Sequence, residues 1–117
     1  MDEKQITEDQ LQAKIYFWFC TEYPLLRHCF FHIPNGGYRN PREAAKFKAI
    51  GVTAGIPDMA LVYQGNTHYF ELKVGKNKLS EKQMRVHYEF GKQDIPVNMI
   101  YSLIDFKKVI KKLVGNE

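Results

Sequence analysis

The sequence predicts a single α/β domain with a mixed central sheet and flanking helices. Segments with helical periodicity alternate with short β-rich segments, in the order helix, strand, helix, strand, strand, helix, strand, helix. The 117 residues suffice for one hydrophobic core and are too few for two. Hydrophobic residues at 44% and charged residues at 26% are values of globular proteins. Residues 1–117 are therefore treated as one domain, with its core in residues 7–112.

Local signals define most of the helix starts. Residues 7–10 and 80–83 each have the pattern of a capping box, and Asn40 precedes a proline at the first helical position. Ser102 can cap a last helix, whose apolar residues recur at helical spacing. The predicted helices span about residues 8–23, 41–50, 81–91 and 103–113. The predicted strands span residues 28–33, 59–63, 67–73 and 97–101.

A short hairpin carries the charged residues that suggest chemistry. Residues 64–66, Gln-Gly-Asn, form a turn signal between its two β-rich segments. A two-residue loop places Asp58 opposite Glu71, and a four-residue loop makes them diagonal neighbours on one face. A three-residue loop places them on opposite faces, because one step of register turns every side chain over. Lys73 shares the face of Glu71, because strand side chains alternate.

A carboxylate pair in this hairpin predicts a site for a hard divalent cation. Two carboxylates about 5 Å apart repel by roughly 3 kcal/mol at an effective dielectric constant near 20. Mg²⁺ and Mn²⁺ prefer oxygen ligands, so Asp58, Glu71 and the backbone carbonyl of Leu72 can serve as ligands. Lys73 can then orient a water molecule or stabilise the charge that develops on a phosphate.

These residues carry a resemblance to a known family. Pro57-Asp58, followed after the hairpin by Glu71-Leu72-Lys73, resembles the PD-(D/E)xK nuclease signature. Together with Thr7-Glu8, residues 35–37 (Asn-Gly-Gly), residues 55–58 and Gln83, the chain resembles a stand-alone VRR-NUC domain of the phage and bacterial type. The resemblance implies a restriction-endonuclease-like core. It also implies an endonuclease that hydrolyses phosphodiester bonds with Mg²⁺ or Mn²⁺, acting on branched DNA such as four-way (Holliday) junctions.

The same resemblance assigns roles to residues outside the hairpin. It makes Glu8 an outer ligand that acts directly or through water, whereas the helix dipole alone also explains an acidic residue in a first turn. It gives Gln83 a place in the site, whereas the capping box explains Gln83 completely in structural terms. Residues 35–37 either border the site or simply connect two elements. His87 lies one turn beyond Gln83 and can face the same way, but we interpret it as a surface or core histidine.

Charge and cysteine content limit the partners and the compartment. The net charge is +4, and basic residues are concentrated in residues 39–48 and 73–92, on either side of the hairpin. They either contact a nucleic acid or form a solvated surface. No apolar run is long enough to span a membrane, and the first residues lack a signal-peptide pattern, so we expect a cytoplasmic protein. A zinc site at Cys29 and His32 is disfavoured, because strand geometry turns these side chains to opposite faces.

Two further questions remain open at the level of sequence. The main alternative to a nuclease is a non-catalytic nucleic-acid-binding module, and another is a metal-free domain in which Lys73 pairs with Asp58. The first helix is apolar nearly all round, through Tyr16, Phe17 and Cys20, which predicts a homodimer. The alternative is that the second helix covers these residues within one monomer.

Overall fold

The structure, a computed structural model, describes residues 6–34 and 40–115. The predicted loop at residues 35–37 and the basic residue Arg39 lie outside the described residues. The helices are α1 (Glu8–Glu22), α2 (Pro41–Ala49), α3 (Glu81–Lys92) and α4 (Leu103–Val114). The strands are β1 (Phe30–His32), β2 (Met59–Tyr63), β3 (Asn66–Leu72) and β4 (Val97–Ile100), and a 3-10 helix spans Pro24–Cys29. The predicted α/β fold is thus confirmed.

The four strands form one mixed sheet in the order β1-β2-β3-β4. β1 pairs with β2 and β2 with β3 in antiparallel fashion, whereas β3 and β4 are parallel. The parallel pair requires a crossover connection, which α3 provides. No helix in the described part of the chain is long and apolar enough to cross a membrane.

The hairpin between β2 and β3 has the two-residue loop. Tyr63 pairs with Asn66, and Gln64 and Gly65 have φ angles of 48° and 80°. Positive φ at both central positions is the requirement of a type I′ turn, whose twist matches that of the flanking strands. Extending this register past the last pair, Met59 with Phe70, brings Asp58 opposite Glu71.

One face of the sheet is covered by α1 and α4 and forms the hydrophobic core. Its centre is aromatic: the ring centroids of Phe19 and Phe30 are 4.5 Å apart, and those of Phe70 and Phe106 are 5.2 Å apart. All four of these rings are essentially inaccessible to solvent. This face is where most of the apolar surface of the chain is removed from water.

The opposite face of the sheet is covered by α3 and contains charged groups. None of the residues of α3 is fully buried, although the Phe90 ring packs on Tyr69 of β3 with centroids 5.0 Å apart. Glu71 is 0% exposed and Lys73 is 8% exposed, and they are the buried charged residues of the described chain. Buried charges cost free energy unless they are paired or bound, so this face is organised around something other than stability.

The predicted strand at residues 28–33 is wrong in its first part. Residues 24–29 form the 3-10 helix, and strand pairing begins only at Phe30. Pro24 occupies the first position of this helix, and the Leu26 amide donates to the Tyr23 carbonyl at 2.9 Å. A proline has no amide to lose at a helix start, so the chain leaves α1 in a tight turn instead of an extended strand.

The aromatic side of α1 faces solvent. Phe17 is 73% exposed and Tyr16 is 40% exposed. The alternative in which α2 covers these residues within one monomer is therefore wrong. The homodimer remains a prediction.

Candidate active site

Asp58 is held by both strands that flank the start of β2. Its Oδ2 atom accepts a hydrogen bond from the Leu72 amide at 2.7 Å. Its carbonyl oxygen accepts from the Ile33 amide at 2.8 Å and lies 2.8 Å from Nδ1 of His32. These bonds fix both the backbone of Asp58 and the position of its carboxylate.

The loop that leads to Asp58 packs closely on the start of α3. Gly55 has a φ of +87°, and a Cβ atom there would lie 2.7 Å from the Lys82 carbonyl carbon and oxygen. A side chain at residue 55 is therefore excluded by both backbone conformation and space. Pro57 is buried immediately afterwards. The segment Gly55-Ile56-Pro57 thus fixes Asp58 relative to α3.

Glu71 projects from β3 towards α3, which contacts both of its carboxylate oxygens. The Gln83 amide nitrogen Nε2 donates to Oε2 of Glu71 at 3.3 Å, and Nε2 of His87 lies 3.0 Å from Oε1. The Gln83 Oε1 atom also accepts from the Ser80 amide at 2.8 Å. The amide group of Gln83 therefore caps α3 with one end and contacts Glu71 with the other.

The charge environment favours a proton on Glu71. Burial, followed by a hydrogen bond with Asp58 and the charge of that carboxylate, raises the pKa of Glu71 to about 9. The charge of Glu8 raises the pKa of Glu71 further, and that of Lys73 lowers it. Burial, and then the charge of Lys73, lowers the pKa of His87. Glu71 therefore retains a proton near neutral pH.

Lys73 continues β3 on the face of Glu71. Its amide donates to the Ile100 carbonyl at 3.0 Å, which extends the parallel pairing with β4 by one residue. Among the ion pairs of the described residues, none joins Lys73 to Asp58. The metal-free alternative, in which this ion pair explains Lys73, therefore loses its main support.

Glu8 lies in the first turn of α1, at the edge of the site. Its Oε2 atom accepts a hydrogen bond from Nδ2 of Asn77, in the loop after β3, at 3.2 Å. The effect of Glu8 on the pKa of Glu71 places its charge in the same electrostatic environment. Glu8 is thus near the carboxyl pair, while its own hydrogen bond goes to Asn77.

Three site neighbours were not predicted as such from the sequence. His87 contacts Glu71 and is neither a surface nor a core residue, so its interpretation is corrected; its spacing of four residues from Gln83 was the available signal. His32 and Asn77 had no comparable signal, because their contacts with Asp58 and Glu8 join segments far apart in the chain.

The donor set fits a hard cation with few protein ligands. Asp58, Glu71 and the backbone of Leu72 supply oxygen donors only, and Mg²⁺ keeps several water ligands. Each carboxylate oxygen has two lone pairs, so the bonds from Gln83 and His87 leave acceptor sites on Glu71. Within residues 6–34 and 40–115, no group of three or more His, Cys, Asp or Glu side chains could hold a metal ion, which gives no support to the zinc alternative.

Comparisons with known proteins give a structural match. No protein-family model matches the chain, and no curated protein matches it in sequence. The fold is similar to the solved structure of a VRR_NUC domain protein, with a TM-score of 0.77 and 24% sequence identity. The alignment covers 96% of this chain and 91% of the other. The chain therefore has the fold of a VRR-NUC domain.

Proposed function

We propose that this protein is a metal-dependent endonuclease of the PD-(D/E)xK type that hydrolyses phosphodiester bonds in DNA. The observation that carries the proposal is the pairing of Asp58 with Glu71 beside the almost fully buried Lys73. Such a carboxyl pair next to a buried lysine destabilises the fold unless a ligand compensates for it. The similarity of the fold to a VRR_NUC domain protein supports the same conclusion.

The carboxyl pair and the Leu72 carbonyl would hold Mg²⁺ or Mn²⁺. When bound, such a cation polarises a phosphate oxygen and lowers the pKa of a coordinated water. Glu71 must release its proton to act as a ligand, so binding is weaker at low pH. Gln83 and His87 orient the Glu71 side chain through its two oxygens. Glu8 contributes negative charge at the edge of the site.

Lys73 supplies positive charge at the reacting phosphate. Lys73 is only 8% exposed, and a charge that is partly shielded from water interacts more strongly with a developing negative charge than one in bulk water. Its position on the strand fixes it relative to Glu71, so little reorganisation is needed during the reaction.

Exposed cations around the site suit a polyanionic substrate. Lys76 and Lys78 follow Lys73 directly and are exposed, and Lys82 lies in the first turn of α3. Arg85 is instead paired with Glu89 at 2.9 Å, on the outer side of α3. Contacts between such lysines and phosphates release counterions and stabilise a DNA complex. The substrate we propose is branched DNA such as a four-way junction.

The homodimer forms part of this proposal. Exposed Phe17 and Tyr16 on α1 give an apolar surface that a second copy can cover, and a two-fold dimer presents two equivalent sites. Light scattering at micromolar concentration should give twice the monomer mass of 13.7 kDa. Phe17→Glu should reduce the mass to that of the monomer while circular dichroism remains unchanged. A monomeric wild-type protein would contradict the dimer.

A cleavage assay tests the enzymatic proposal. Linear, flap, splayed and four-way DNA are incubated with the protein and Mg²⁺, Mn²⁺ or EDTA, with Asp58→Asn as the matched control. We expect metal-dependent cleavage of a branched substrate by the wild type only. Binding without cleavage in either metal would favour the non-catalytic nucleic-acid-binding module, and cleavage by Asp58→Asn at the wild-type rate would contradict the role of the carboxyl pair.

A further inference from the structure

A groove opens beside the carboxyl pair, between the end of β4 and the start of α3. Its volume is about 370 Å³. Apolar side chains form most of its lining, and lysines provide its charge. The lining residues are Lys73, Asn77, Lys78, Leu79, Met84, Met99 and Tyr101. Lys73 belongs both to this groove and to the candidate active site, so the two are continuous.

Tyr101 lies next to Lys73 across the parallel strands. The register pairs Glu71 with Met99 and Leu72 with Ile100, and one further step brings Lys73 beside Tyr101. Neighbouring strands are about 4.8 Å apart, and residues two positions apart share a face. The Tyr101 side chain therefore starts one strand spacing from Lys73, on the face of the site.

The Tyr101 ring is exposed although its backbone is fixed. The first turn of α4 holds this backbone in place. Oδ2 of Asp105 accepts from the Tyr101 amide at 3.1 Å, and Oγ of Ser102 accepts from the Asp105 amide at 3.1 Å. Tyr101 is nevertheless 55% exposed, and Met84 on the facing helix is 51% exposed. Exposed apolar groups on rigid elements form a preorganised surface for a ligand.

The chemistry of the groove is that of a nucleotide subsite. Lys73 and the exposed Lys78 supply positive charge for phosphates, while Tyr101 and Met84 supply apolar surface for a base. This combination of cations and aromatic platforms is typical of sites for single-stranded nucleic acid. Two lysines and an aromatic ring in one lining match a nucleotide better than an uncharged peptide, which has no phosphate for the lysines to contact.

We propose that this groove holds an unpaired nucleotide next to the cleaved phosphate, with its base stacked on the ring of Tyr101. This inference rests on the proposed function, and it narrows the substrate to DNA with unpaired nucleotides at the cleavage point. In a duplex the faces of a base are covered by its neighbours, so stacking on a protein ring requires a base outside the stack. Unpaired bases are available at flaps and single-stranded ends, and at a junction once the base pairs next to its crossover open.

Binding to an inactive protein tests the groove separately from catalysis. The parent carries Glu71→Gln, and fluorescence anisotropy measures its affinity for two labelled DNAs with equal numbers of phosphates. One is a perfect duplex, and the other is a duplex with a short single-stranded arm. We expect Tyr101→Ala to weaken binding of the armed DNA by about 10-fold, within the range found for loss of one stacked base. Its affinity for the duplex should stay unchanged.

Two control variants make the result specific. Tyr101→Phe retains an aromatic ring and should bind the armed DNA like the parent. Tyr88→Ala removes another exposed tyrosine, on α3 and outside the groove lining, and should have no effect. Circular dichroism confirms that each variant is folded.

Several outcomes would overturn the inference. The parent could fail to bind the armed DNA, or Tyr101→Ala could bind it with unchanged affinity. Tyr101→Ala could also lose equal affinity for both DNAs, or Tyr88→Ala could lose as much affinity for the armed DNA as Tyr101→Ala does. Absence of cleavage by the wild type, combined with a loss on the armed DNA that is specific to Tyr101→Ala, would instead refute the proposed function and leave the nucleotide subsite standing.

Discussion

The two faces of the sheet contrast in chemistry although the same strand, β3, builds both. Phe70 and Leu72 point to the face under α1 and α4, where aromatic rings pack without polar groups. Glu71 and Lys73, their immediate neighbours, point to the face under α3, where carboxyl, amide and imidazole groups meet. One face stabilises the fold, and the other retains charges that stability alone would not select.

This contrast explains how a small domain can hold a destabilising site. The aromatic core lies directly behind the carboxyl pair. Packing on this side therefore holds β3 in place, while the burial of charge on its other side costs free energy. The neighbouring strands also fix the site: Asp58 is bonded to residues of both β1 and β3, and Lys73 extends the pairing with β4. If the contrast is real, substitutions on the two faces should separate activity from stability.

The largest expected effect is on activity, from the carboxyl pair. We expect Asp58→Asn and Glu71→Gln each to abolish metal-dependent DNA cleavage, because each removes a charged ligand with little change in shape. DNA binding and the circular dichroism spectrum should be preserved. A cleavage assay under identical metal conditions checks this, and a variant that cleaves at the wild-type rate would remove its carboxyl group from the proposed mechanism.

A substitution on the core face tests the other half of the contrast, because it should change stability instead of activity. Phe106 is 0% exposed and packs against the rings of Phe19, Phe30 and Phe70. We expect Phe106→Ala to lower the free energy of unfolding by about 3 to 5 kcal/mol, measured by urea denaturation. Phe106→Leu, which leaves a smaller cavity, should lose less and keep its cleavage rate per folded molecule. A large loss of activity in folded Phe106→Leu would show that the two faces are coupled.

The sequence predicted what depends on short-range signals. The capping boxes at Thr7 and Ser80 involve residues three positions apart and are present in the structure. The turn residues Gln64 and Gly65 joined the two predicted strands, although the choice of loop length needed the observed φ angles. The error at His28 and Cys29 is also local, because a short segment after a proline is compatible with a strand or a tight helix.

The parts of the site that the sequence did not give depend on packing between distant elements. His87 reaches Glu71 only because α3 crosses the sheet at one particular angle and height. The bond of Asn77 to Glu8 joins residues 69 positions apart, and that of His32 to the Asp58 carbonyl joins residues 26 positions apart. No periodicity within a single element encodes these last two contacts, whereas the spacing of His87 from Gln83 on α3 was a local signal.

Lys73 allows a finer test of the polar face. We expect Lys73→Ala to lower the turnover rate by about two orders of magnitude, the scale found for loss of one preorganised electrostatic contact in a transition state. Lys108→Ala is the matched control, because it removes an exposed lysine on α4, outside the lining of the groove. Single-turnover kinetics separates the chemical step from DNA binding. Normal turnover in Lys73→Ala would assign this lysine a structural role.

The smallest expected effect is the pH dependence of stability without metal. The pKa of Glu71 is raised to about 9 in the folded protein, so between its ordinary value near 4.5 and that value the folded state binds more protons than the unfolded state. The contribution of Glu71 to stability is therefore present at low pH and is lost as the pH rises towards 9. Glu71→Gln lacks this titration.

Urea denaturation in EDTA measures this difference directly. Between pH 6 and pH 8 we expect the wild type to lose about 2 to 3 kcal/mol of unfolding free energy relative to Glu71→Gln. The lowered pKa of His87 acts in the opposite direction, since it makes stability rise with pH, but it is shared by both proteins and largely cancels. Saturating Mg²⁺ should reverse the ranking above pH 7, because only the wild type retains both carboxylate ligands. Parallel stability curves for the two proteins in EDTA would mean that Glu71 is ionised in the folded state. The polar face would then carry no free-energy penalty that a bound cation could offset.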